Sequence, residues 1–566
     1  MKKVLLIQPS LYSLEALHGI IVRKAKINYN RVKYTYPLGI LHIGTVLEKN
    51  NYEVKILDLD KCFFEFLHND NIEKDINQFF KRYLAEFAFA YKPDIIGISG
   101  NFNCNKTFIT KCCSTLKDMD RRIPIILGGH YPTNCYREIL EKDPNVDFVV
   151  LGEGEEVMLL LLDAFSREDI AYIENHPNIV SNENILKNGH VKKMSAIVND
   201  LESLPTINYE LLDTAEDYIS NPSNIRIVIP RGVETRAVVM MTSRGCPFNC
   251  TYCASHKVHG KKLRAFSVDR VVDDLEALVD KYDINGLIIE DDLFTFSKRR
   301  TIELSKKIYE KFGDRFFIEF SNGIAVSNLD EECIKLLAKA GMRQIHLAIE
   351  SGSQYVQNNI IKKRLNLNKV KPVVDLLKKY NVMIRAFFIM GFPGETLDMM
   401  RDTKDFAKEL KVDWAIFSFA SPVVGSELYE SAKTNNQLIS ESSDETTYFD
   451  AQLRSDDWSN QDVEAVQQEA NYEVNFLGNY NITEKHYEKS LYIYSDICND
   501  YPKHLMAQYC LWKSQMGLND FLAARETEKE IFNILDNDEN SKALVNKYNL
   551  SNAEPFVNYT PYQTNV

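Results

Sequence analysis

Short apolar runs alternate with helix-length amphipathic segments over the first 165 residues of the chain. The apolar runs lie at residues 4–9, 52–60, 93–100, 123–129 and 147–155. Strands that are apolar along their whole length belong to a parallel sheet, because helices cover both faces of such a sheet. The pattern therefore predicts an α/β fold that begins with a doubly wound, Rossmann-like parallel sheet.

A second alternation begins near residue 236 and continues to about residue 430. Its six apolar runs are residues 237–243, 286–292, 317–323, 344–352, 383–392 and 414–422, with amphipathic helices between them. Eight such units make a complete barrel, so six predict an open, partial (βα)6 barrel. In barrels of this kind the chemistry lies at the carboxyl ends of the strands.

The remaining segments have no alternation. Residues 171–235 carry prolines among many Asn and Ser residues and predict a connector draped over a domain. Residues 484–532 predict three helices with a faint resemblance to one tetratricopeptide hairpin, and we expect the tail after about residue 550 to be disordered or loosely docked. The predicted domains are residues 1–170, 171–235, 236–430 and 431–566.

Composition narrows the class of protein. The 566 residues are 45% hydrophobic and 26% charged, with a net charge of −13, which argues against a nucleic-acid partner. The basic run at residues 259–264 is short and is interpreted as a solvated face. No apolar stretch reaches the roughly 18 residues that span a bilayer. Eleven cysteines, an odd number, indicate a reducing compartment, so we expect a cytoplasmic protein.

Three of those cysteines lie within eight residues, just past the first predicted barrel strand. Cys246, Cys250 and Cys253 follow the spacing C-x3-C-x2-C. Three thiolates from one loop can hold a cubane iron–sulfur cluster and leave its fourth iron open to a substrate or cofactor. A structural zinc site of three cysteines with His256 is the alternative. The position at the mouth of a barrel favours the cluster.

The motif CPFNCTYC resembles the cluster loop of the radical S-adenosylmethionine (SAM) enzymes. The resemblance implies that Tyr252 packs near the adenine of SAM, that Glu350 approaches the ribose, and that Gly391 and Gly394 form the fifth-strand glycine motif. The usual Gly-Gly-Glu after the second strand is absent, so Asp291 is the candidate for the methionine amino group. Glu350 could instead be a strand-end carboxylate paired with a basic side chain.

The N-terminal sheet resembles cobalamin-binding domains, which carry Ser-x-Leu, then 26 to 28 residues, then Gly-Gly. Here Ser99-Gly-Asn101 is followed by 26 residues and by Gly128-Gly129, so the third position of the first motif departs from leucine. The family's Asp-x-His-x-x-Gly motif is absent, which implies that the lower face of cobalt lacks that histidine. A nucleotide-binding or purely structural sheet is the alternative.

Three further residues at the same strand ends extend the predicted corrin site. Gly152 is placed where a backbone could approach a large ligand closely. His130 and Glu153 are expected on loops that face the corrin. His130 could equally be a structural histidine.

Taken together, residues 1–430 resemble the cobalamin-dependent radical SAM enzymes. The resemblance implies a 4Fe–4S cluster, SAM and cobalamin, an electron donor such as flavodoxin or ferredoxin, and a small-molecule or carrier-tethered substrate. It implies a methyltransferase that acts on an unactivated carbon or phosphorus. The alternatives are a cyclase or ring-rearranging enzyme with the same cofactors, and a corrinoid-binding sensor or scaffold. A methylthiotransferase is disfavoured, because no second three-cysteine set with cluster-like spacing is present.

Overall fold

The computed structural model describes residues 3–22, 34–69, 71, 73–101, 105–187, 195–220, 234–440 and 450–559. Two stretches of the predicted connector and the end of the predicted tail lie outside the described residues. No helix among the described residues is both long and apolar enough to cross a membrane.

The first six strands form one sheet in the order β2-β1-β3-β4-β5-β6. The first five strands run parallel, and β6 pairs antiparallel with β5. The predicted doubly wound sheet is confirmed, and the short antiparallel edge strand was not predicted. The strands are β1 Lys3–Gln8, β2 Glu53–Asp58, β3 Ile95–Ser99, β4 Ile125–Gly128, β5 Phe148–Val150 and β6 Ile179–Val180.

Helices cover both faces of this sheet. They span Leu14–Val22, Leu38–Lys49, Leu59–His68, Ile76–Phe79, Phe80–Ala85, Glu86–Tyr91, Lys106–Met119, His130–Lys142, Glu155–Ser166, Ile170–Asn175 and Asn182–Lys187.

Six further parallel strands form the predicted partial barrel. They make two three-stranded sheets, β7-β8-β9 and β10-β11-β12. Two isolated bridges, Ile318 with Met342 and Ile324 with Leu347, join the sheets. The strands are β7 Ala237–Met240, β8 Gly286–Ile289, β9 Phe317–Phe320, β10 Gln344–Glu350, β11 Met383–Met390 and β12 Trp414–Phe419. The helices around them are Ser255–Val258, Val268–Tyr282, Lys298–Phe312, Glu331–Lys339, Val370–Lys379, Leu397–Leu410 and Glu427–Thr434.

The connector and the N-terminal domain cover the β7 edge of the barrel. Tyr36 donates a hydrogen bond from its hydroxyl to the Ala237 carbonyl at 2.8 Å, and Tyr209 donates to the Val239 carbonyl at 2.6 Å. The connector forms short helical turns at Leu201–Ser203 and Tyr209–Leu211 and a helix at Ala215–Ser220. A continuous apolar core runs from the N-terminal sheet through these contacts into the barrel.

The C-terminal region covers the opposite edge, β12. The Asn475 side chain accepts a hydrogen bond from Ala415 N at 2.8 Å and donates to Ala415 O at 2.6 Å, while Gln467 donates to Phe417 O at 2.8 Å. The predicted helical character is confirmed. The helices are Asn460–Tyr472, Glu473–Leu477, Tyr480–Thr483, Tyr487–Asp500, Leu505–Gly517, Phe521–Asn537 and Glu539–Lys547.

The described part of the tail is docked. Phe556 is buried, and its ring centroid lies 4.9 Å from that of Tyr509 in the C-terminal core. Tyr559 contacts Phe532 and donates a hydrogen bond to Asp536 at 2.7 Å. These contacts hold the tail against the last helices as far as residue 559.

Candidate active site

The loop with three cysteines follows β7 and is closed by a short antiparallel pairing of Ser243–Arg244 with Arg264–Ala265. Gly245 has a φ of 92°, and a side chain there would meet the Lys262 carbonyl at 2.4 Å, so this turn requires glycine. Cys246 N donates to Gly260 O at 3.3 Å, which ties the beginning of the loop to its return. We call residues 245–254 the cluster loop.

The three cysteines of this loop are unpaired and partly buried. Burial raises the pKa of each thiol, that of Cys253 to about 11. Among the residues that the structure describes, no three His, Cys, Asp or Glu side chains converge to hold a single metal ion.

Asp291 holds the cluster loop and does not face the cavity beside it. Its carboxylate accepts hydrogen bonds from the backbone and hydroxyl of Thr242, at 2.5 and 2.7 Å, and from those of Ser243, at 3.0 and 2.6 Å. Both carboxylate oxygens of Asp291 are thus engaged within the protein, and its contact with the methionine amino group stays a prediction. The neighbouring Asp292 also supports the loop, through Gly245 N at 2.8 Å and the Ser255 hydroxyl.

Glu350 ends strand β10 in a left-handed conformation, with a φ of 72°. Its carboxylate pairs with Lys363 Nζ at 2.8 Å, and both side chains are nearly buried. The ion pair of the alternative interpretation is therefore present, and contact of Glu350 with the ribose of SAM stays a prediction. A carboxylate held in a strained backbone conformation is typical of a functional position.

Two glycines shape the turn after β11. Gly391 and Gly394 both have a φ of 88°, which glycine adopts without strain. The Glu395 carboxylate accepts hydrogen bonds from Gly391 N at 2.9 Å and Phe392 N at 3.1 Å. Burial raises the pKa of Glu395 to about 8. The Phe392 ring lies 6.0 Å from Tyr252, so this turn packs beside the aromatic residue of the cluster loop.

A cavity of about 730 Å³ lies between the N-terminal sheet and the cluster loop. Its size is in the range of ligand pockets, and it opens at the carboxyl ends of the parallel strands. The cluster loop contributes Tyr252, Cys253 and Ala254 to its wall. All seven residues predicted for the corrin site line it: Ser99, Asn101, Gly128, Gly129, His130, Gly152 and Glu153.

The three predicted glycines among the cavity residues are required for different physical reasons. Gly129 and Gly152 have φ values of 103° and 84°, and side chains there would meet Gly100 O at 2.7 Å and Ala196 O at 2.4 Å. Both positions therefore require glycine because of the protein's own backbone. Gly128 has no atom closer than 3.9 Å to the position of a Cβ. A glycine at position 128 leaves room at the cavity wall, which fits a ligand that approaches the end of the strand closely.

His130 is the first residue of the helix that follows β4, and its ring centroid lies 5.7 Å from that of His259. Burial, together with His259, lowers the pKa of His130 to about 4. The imidazole is therefore neutral at physiological pH. The sequence predicted His130 on a loop. The residue lies instead at the start of a helix, beside the same cavity.

Glu153 lines the cavity, and its carboxylate also makes contacts across the interface between the two domains. It pairs with Arg264 at 2.8 Å, lies 3.0 Å from His259 Nδ1 and accepts a hydrogen bond from Val198 N at 2.6 Å. Burial alone would raise the pKa of Glu153, but His259 and the two arginines Arg264 and Arg244 lower it to about 2. These contacts make Glu153 a link between the domains, and its place beside the corrin stays a prediction.

Glu290 is a cavity residue that the sequence analysis missed. It follows the last residue of β8 and lines the cavity. Burial raises the pKa of Glu290 to about 7, so its carboxyl is poised to exchange a proton near neutral pH. The sequence does contain a signal for this residue, because Glu290 is the first of three acidic residues that follow a fully apolar strand.

Comparison with known proteins agrees with this arrangement. Residues 240–407 match the model of the radical SAM superfamily, and residues 26–162 match that of the B12 binding domain. A cytidylyl-2-hydroxyethylphosphonate methyltransferase of Streptomyces wedmorensis is 31% identical over 432 residues, which cover 70% of this chain and 77% of that protein. An anaerobic magnesium-protoporphyrin IX monomethyl ester cyclase of Rubrivivax gelatinosus is 27% identical over 401 residues, which cover 70% and 66%.

The fold has a solved counterpart. The cobalamin-dependent SAM radical enzyme OxsB, with aqua-cobalamin bound, has a TM-score of 0.63 at 16% identity, over 100% of this chain and 82% of OxsB. The two family models thus define a radical SAM enzyme with a B12-binding domain. The chain belongs to the cobalamin-dependent radical SAM family, whose cofactors are a 4Fe–4S cluster, SAM and cobalamin.

Proposed function

We propose that the enzyme transfers a methyl group, through methylcobalamin, to an unactivated carbon or phosphorus centre of its substrate. The observation that supports this most is the shared cavity. The residues predicted for the corrin, such as Gly128, and the cluster-loop residues Tyr252 and Cys253 line the same space. A substrate in that space would lie between the two cofactors. Among its relatives, a methyltransferase is 31% identical to this chain.

We further propose the residues that hold the cofactors. Cys246, Cys250 and Cys253 bind the cluster, and Tyr252 and Glu350 contact SAM. When bound, the cofactors supply the radical and methyl-transfer chemistry. The protein positions the reactants and excludes water, and a cavity between the two domains suits both tasks.

Cobalamin, in this proposal, packs against Ser99, Gly128 and Gly129. Because that family's histidine motif is missing, a bound cobalamin would lack the histidine of that motif on its lower face. An electron paramagnetic resonance spectrum of the cob(II)alamin form should therefore lack nitrogen splitting from an axial imidazole. A clear histidine pattern would contradict this part of the proposal.

A cyclase is the second candidate, because one relative of similar coverage is a cyclase. The two functions differ in their by-products. A methyltransferase that uses one SAM for the radical and another to remethylate cobalt should form 5′-deoxyadenosine and S-adenosylhomocysteine in equal amounts. A cyclase needs no methyl donor and should form little S-adenosylhomocysteine.

The experiment follows methyl-labelled SAM through turnover by the anaerobically purified enzyme. We expect label in the product and both by-products in step with it. Replacing Cys250 with alanine should abolish 5′-deoxyadenosine formation, whereas Cys135→Ala, a thiol of the other domain, should leave it unchanged. Product formation without S-adenosylhomocysteine would reject methyl transfer and favour the cyclase.

We also propose a reducing, cytoplasmic location, which the ten described cysteines support, because all are free thiols. The substrate is proposed to be a small molecule, either free or tethered to a carrier.

A further inference from the structure

A short segment that follows the fourth barrel strand is attached directly to the cluster loop. Thr251 of that loop donates a hydrogen bond from its hydroxyl to the Ile360 carbonyl at 3.0 Å. Its backbone N–H donates a second hydrogen bond to the Ile361 carbonyl at 3.1 Å. We call residues 360–364 the lysine segment, because two adjacent lysines lie near its centre. The two hydrogen bonds fix this segment beside the loop that carries the three cysteines.

The backbone of the lysine segment is strained on both sides of Lys363. Lys362 and Arg364 have φ values of 54° and 59°, in the left-handed region that residues other than glycine rarely adopt. The two adjacent lysines lie in different surroundings: the side chain of Lys362 is 41% exposed and pairs with Glu427, whereas that of Lys363 is 11% exposed. Strain of this kind persists only where the surrounding structure holds it, and it is typical of functional positions.

Lys363 forms a nearly buried ion pair with Glu350, the last residue of β10. Its Nζ lies 2.8 Å from the carboxylate of Glu350, whose side chain is 8% exposed. Burial raises the pKa of the Cys250 thiol, and beyond this effect Lys363 lowers that pKa while Glu350 raises it. Burial also raises the pKa of Cys246, and Lys363 lowers it. The two charges of the pair therefore lie close to the cysteines and act on them with opposite sign.

We propose that the ion pair of Lys363 and Glu350 sets the reduction potential of the cluster, which the lysine raises and the carboxylate lowers. This rests on the proposed function, in which the three cysteines of the cluster loop hold the cluster. Reduction adds one electron to the cluster, and an external reductant such as dithionite loses it, with no bond made or broken. A nearby ammonium stabilises the added negative charge and a nearby carboxylate destabilises it. Net charge is one of the determinants of the potential of an iron–sulfur cluster.

The test measures the midpoint potential of the cluster in the full chain, purified anaerobically and without added SAM. Electron paramagnetic resonance follows the reduced cluster through a titration with dithionite and redox mediators. Lys363→Met and Glu350→Gln each remove one charge of the pair and keep the side chain close to its original size. A double variant with both substitutions removes both charges. Lys362→Met is the matched control, because it removes the adjacent, more exposed lysine.

We expect the two single charge variants to shift the potential in opposite directions. At an applied potential equal to the wild-type midpoint, Lys363→Met should have a roughly tenfold lower ratio of reduced to oxidised cluster, a fall of about 59 mV for a one-electron couple. Glu350→Gln should raise that ratio, because the lysine then acts without its counter-charge. The double variant should lie between the two. Lys362→Met should match the wild type, since water and salt screen an exposed charge.

Equal midpoints in the wild type and in the charge variants would overturn the proposal. So would shifts of the same sign in Lys363→Met and Glu350→Gln, which a purely structural pair would produce. An unchanged potential with weaker binding of SAM would also overturn it, because Lys363 would then act on SAM alone.

Lys363→Met could release iron, because Glu350 then stays buried without its partner. In that case the comparison of Glu350→Gln with the double variant isolates the lysine, and the double variant must have the lower midpoint. None of these readouts needs a methylated product, so failure of the proposed methyl transfer would be seen separately.

Discussion

The partners of an acidic side chain decide its role at this interface. Glu153, Asp291 and Glu290 all lie near one cavity, yet only Glu290 has no side-chain hydrogen bond among the described residues. Burial raises its pKa to about 7, whereas arginine and histidine partners hold the pKa of Glu153 near 2. Neighbouring acids therefore differ in protonation: the pKa of Glu290 lies near neutrality, and Glu153 is held as an anion.

The cluster cysteines give the first prediction at this scale. Each single change of Cys246, Cys250 or Cys253 to alanine should remove most of the iron and sulfide from anaerobically purified protein, because a cubane held by two thiolates is poorly retained. Cys135→Ala should keep about four irons, the content of one such cluster. Stoichiometric zinc without iron in the wild type would contradict the assignment.

At this scale the sequence predicted which residues line the cavity where their position depends on their own strand. Ser99, Gly128 and Gly152 follow buried apolar runs, and the carboxyl ends of parallel strands meet at one edge. The sequence did not predict the contacts whose partners are remote along the chain. Arg264 lies 111 residues from Glu153, and Thr242 lies 49 residues from Asp291, and no local pattern encodes those pairs.

Among the elements, the barrel strands were predicted well and their ends were not. All six apolar runs became strands, but the run at residues 286–292 ends as a strand at Ile289. The three acidic residues after Ile289 do not pair with a neighbouring strand. Asp291 and Asp292 support the cluster loop, and Glu290 lines the cavity. The sequence alone also did not predict how the C-terminal helices satisfy the backbone hydrogen bonds at the edge of β12. Amide side chains, and not another strand, cap that edge.

The amide cap of β12 gives the second prediction. Asn475→Ala leaves Ala415 N and O without their partner in a buried setting, which should lower the free energy of unfolding by roughly 1–3 kcal/mol. The urea midpoint should fall accordingly. Gln468→Ala, at an exposed position of the preceding helix, should shift it by well under 1 kcal/mol. Equal midpoints for the two variants would argue against the cap.

At the scale of the whole molecule, buried ion pairs join the two cofactor domains. Arg244 and Arg264, on the strands that close the cluster loop, pair with Glu155 at 2.6 Å and Glu153 at 2.8 Å. All four side chains are almost fully buried. Removing one member of a buried pair is strongly destabilising, because the other charge stays buried without compensation.

The third prediction is that Glu153→Gln destabilises the protein by roughly 3–5 kcal/mol at pH 7. The native carboxylate has its pKa lowered to about 2, so its stabilising effect is complete above the ordinary value of 4.5 and is lost as pH falls toward 2. The gap between wild type and variant should therefore shrink by roughly 1 kcal/mol from pH 7 to pH 4.

Denaturant titrations at the two pH values measure that gap. Glu156→Gln, three residues away on the exposed face of the next helix, is the matched control and should show little effect at either pH. A gap that widens on acidification would show that Glu153 is not an anion in the native state.

The side chains that cover the edge of β12 are synthesised later than β12 itself. Asn475 follows Ala415 by 60 residues. A ribosome that adds roughly 5–20 residues per second needs about 3–12 seconds to make that distance, and longer before the segment leaves the exit tunnel. During this interval the barrel has an unpaired strand edge, the kind of surface on which nascent chains pair with one another. Slower elongation between these two points should therefore reduce the yield of folded enzyme in crowded cells, and holdase chaperones that shield strand edges should restore it.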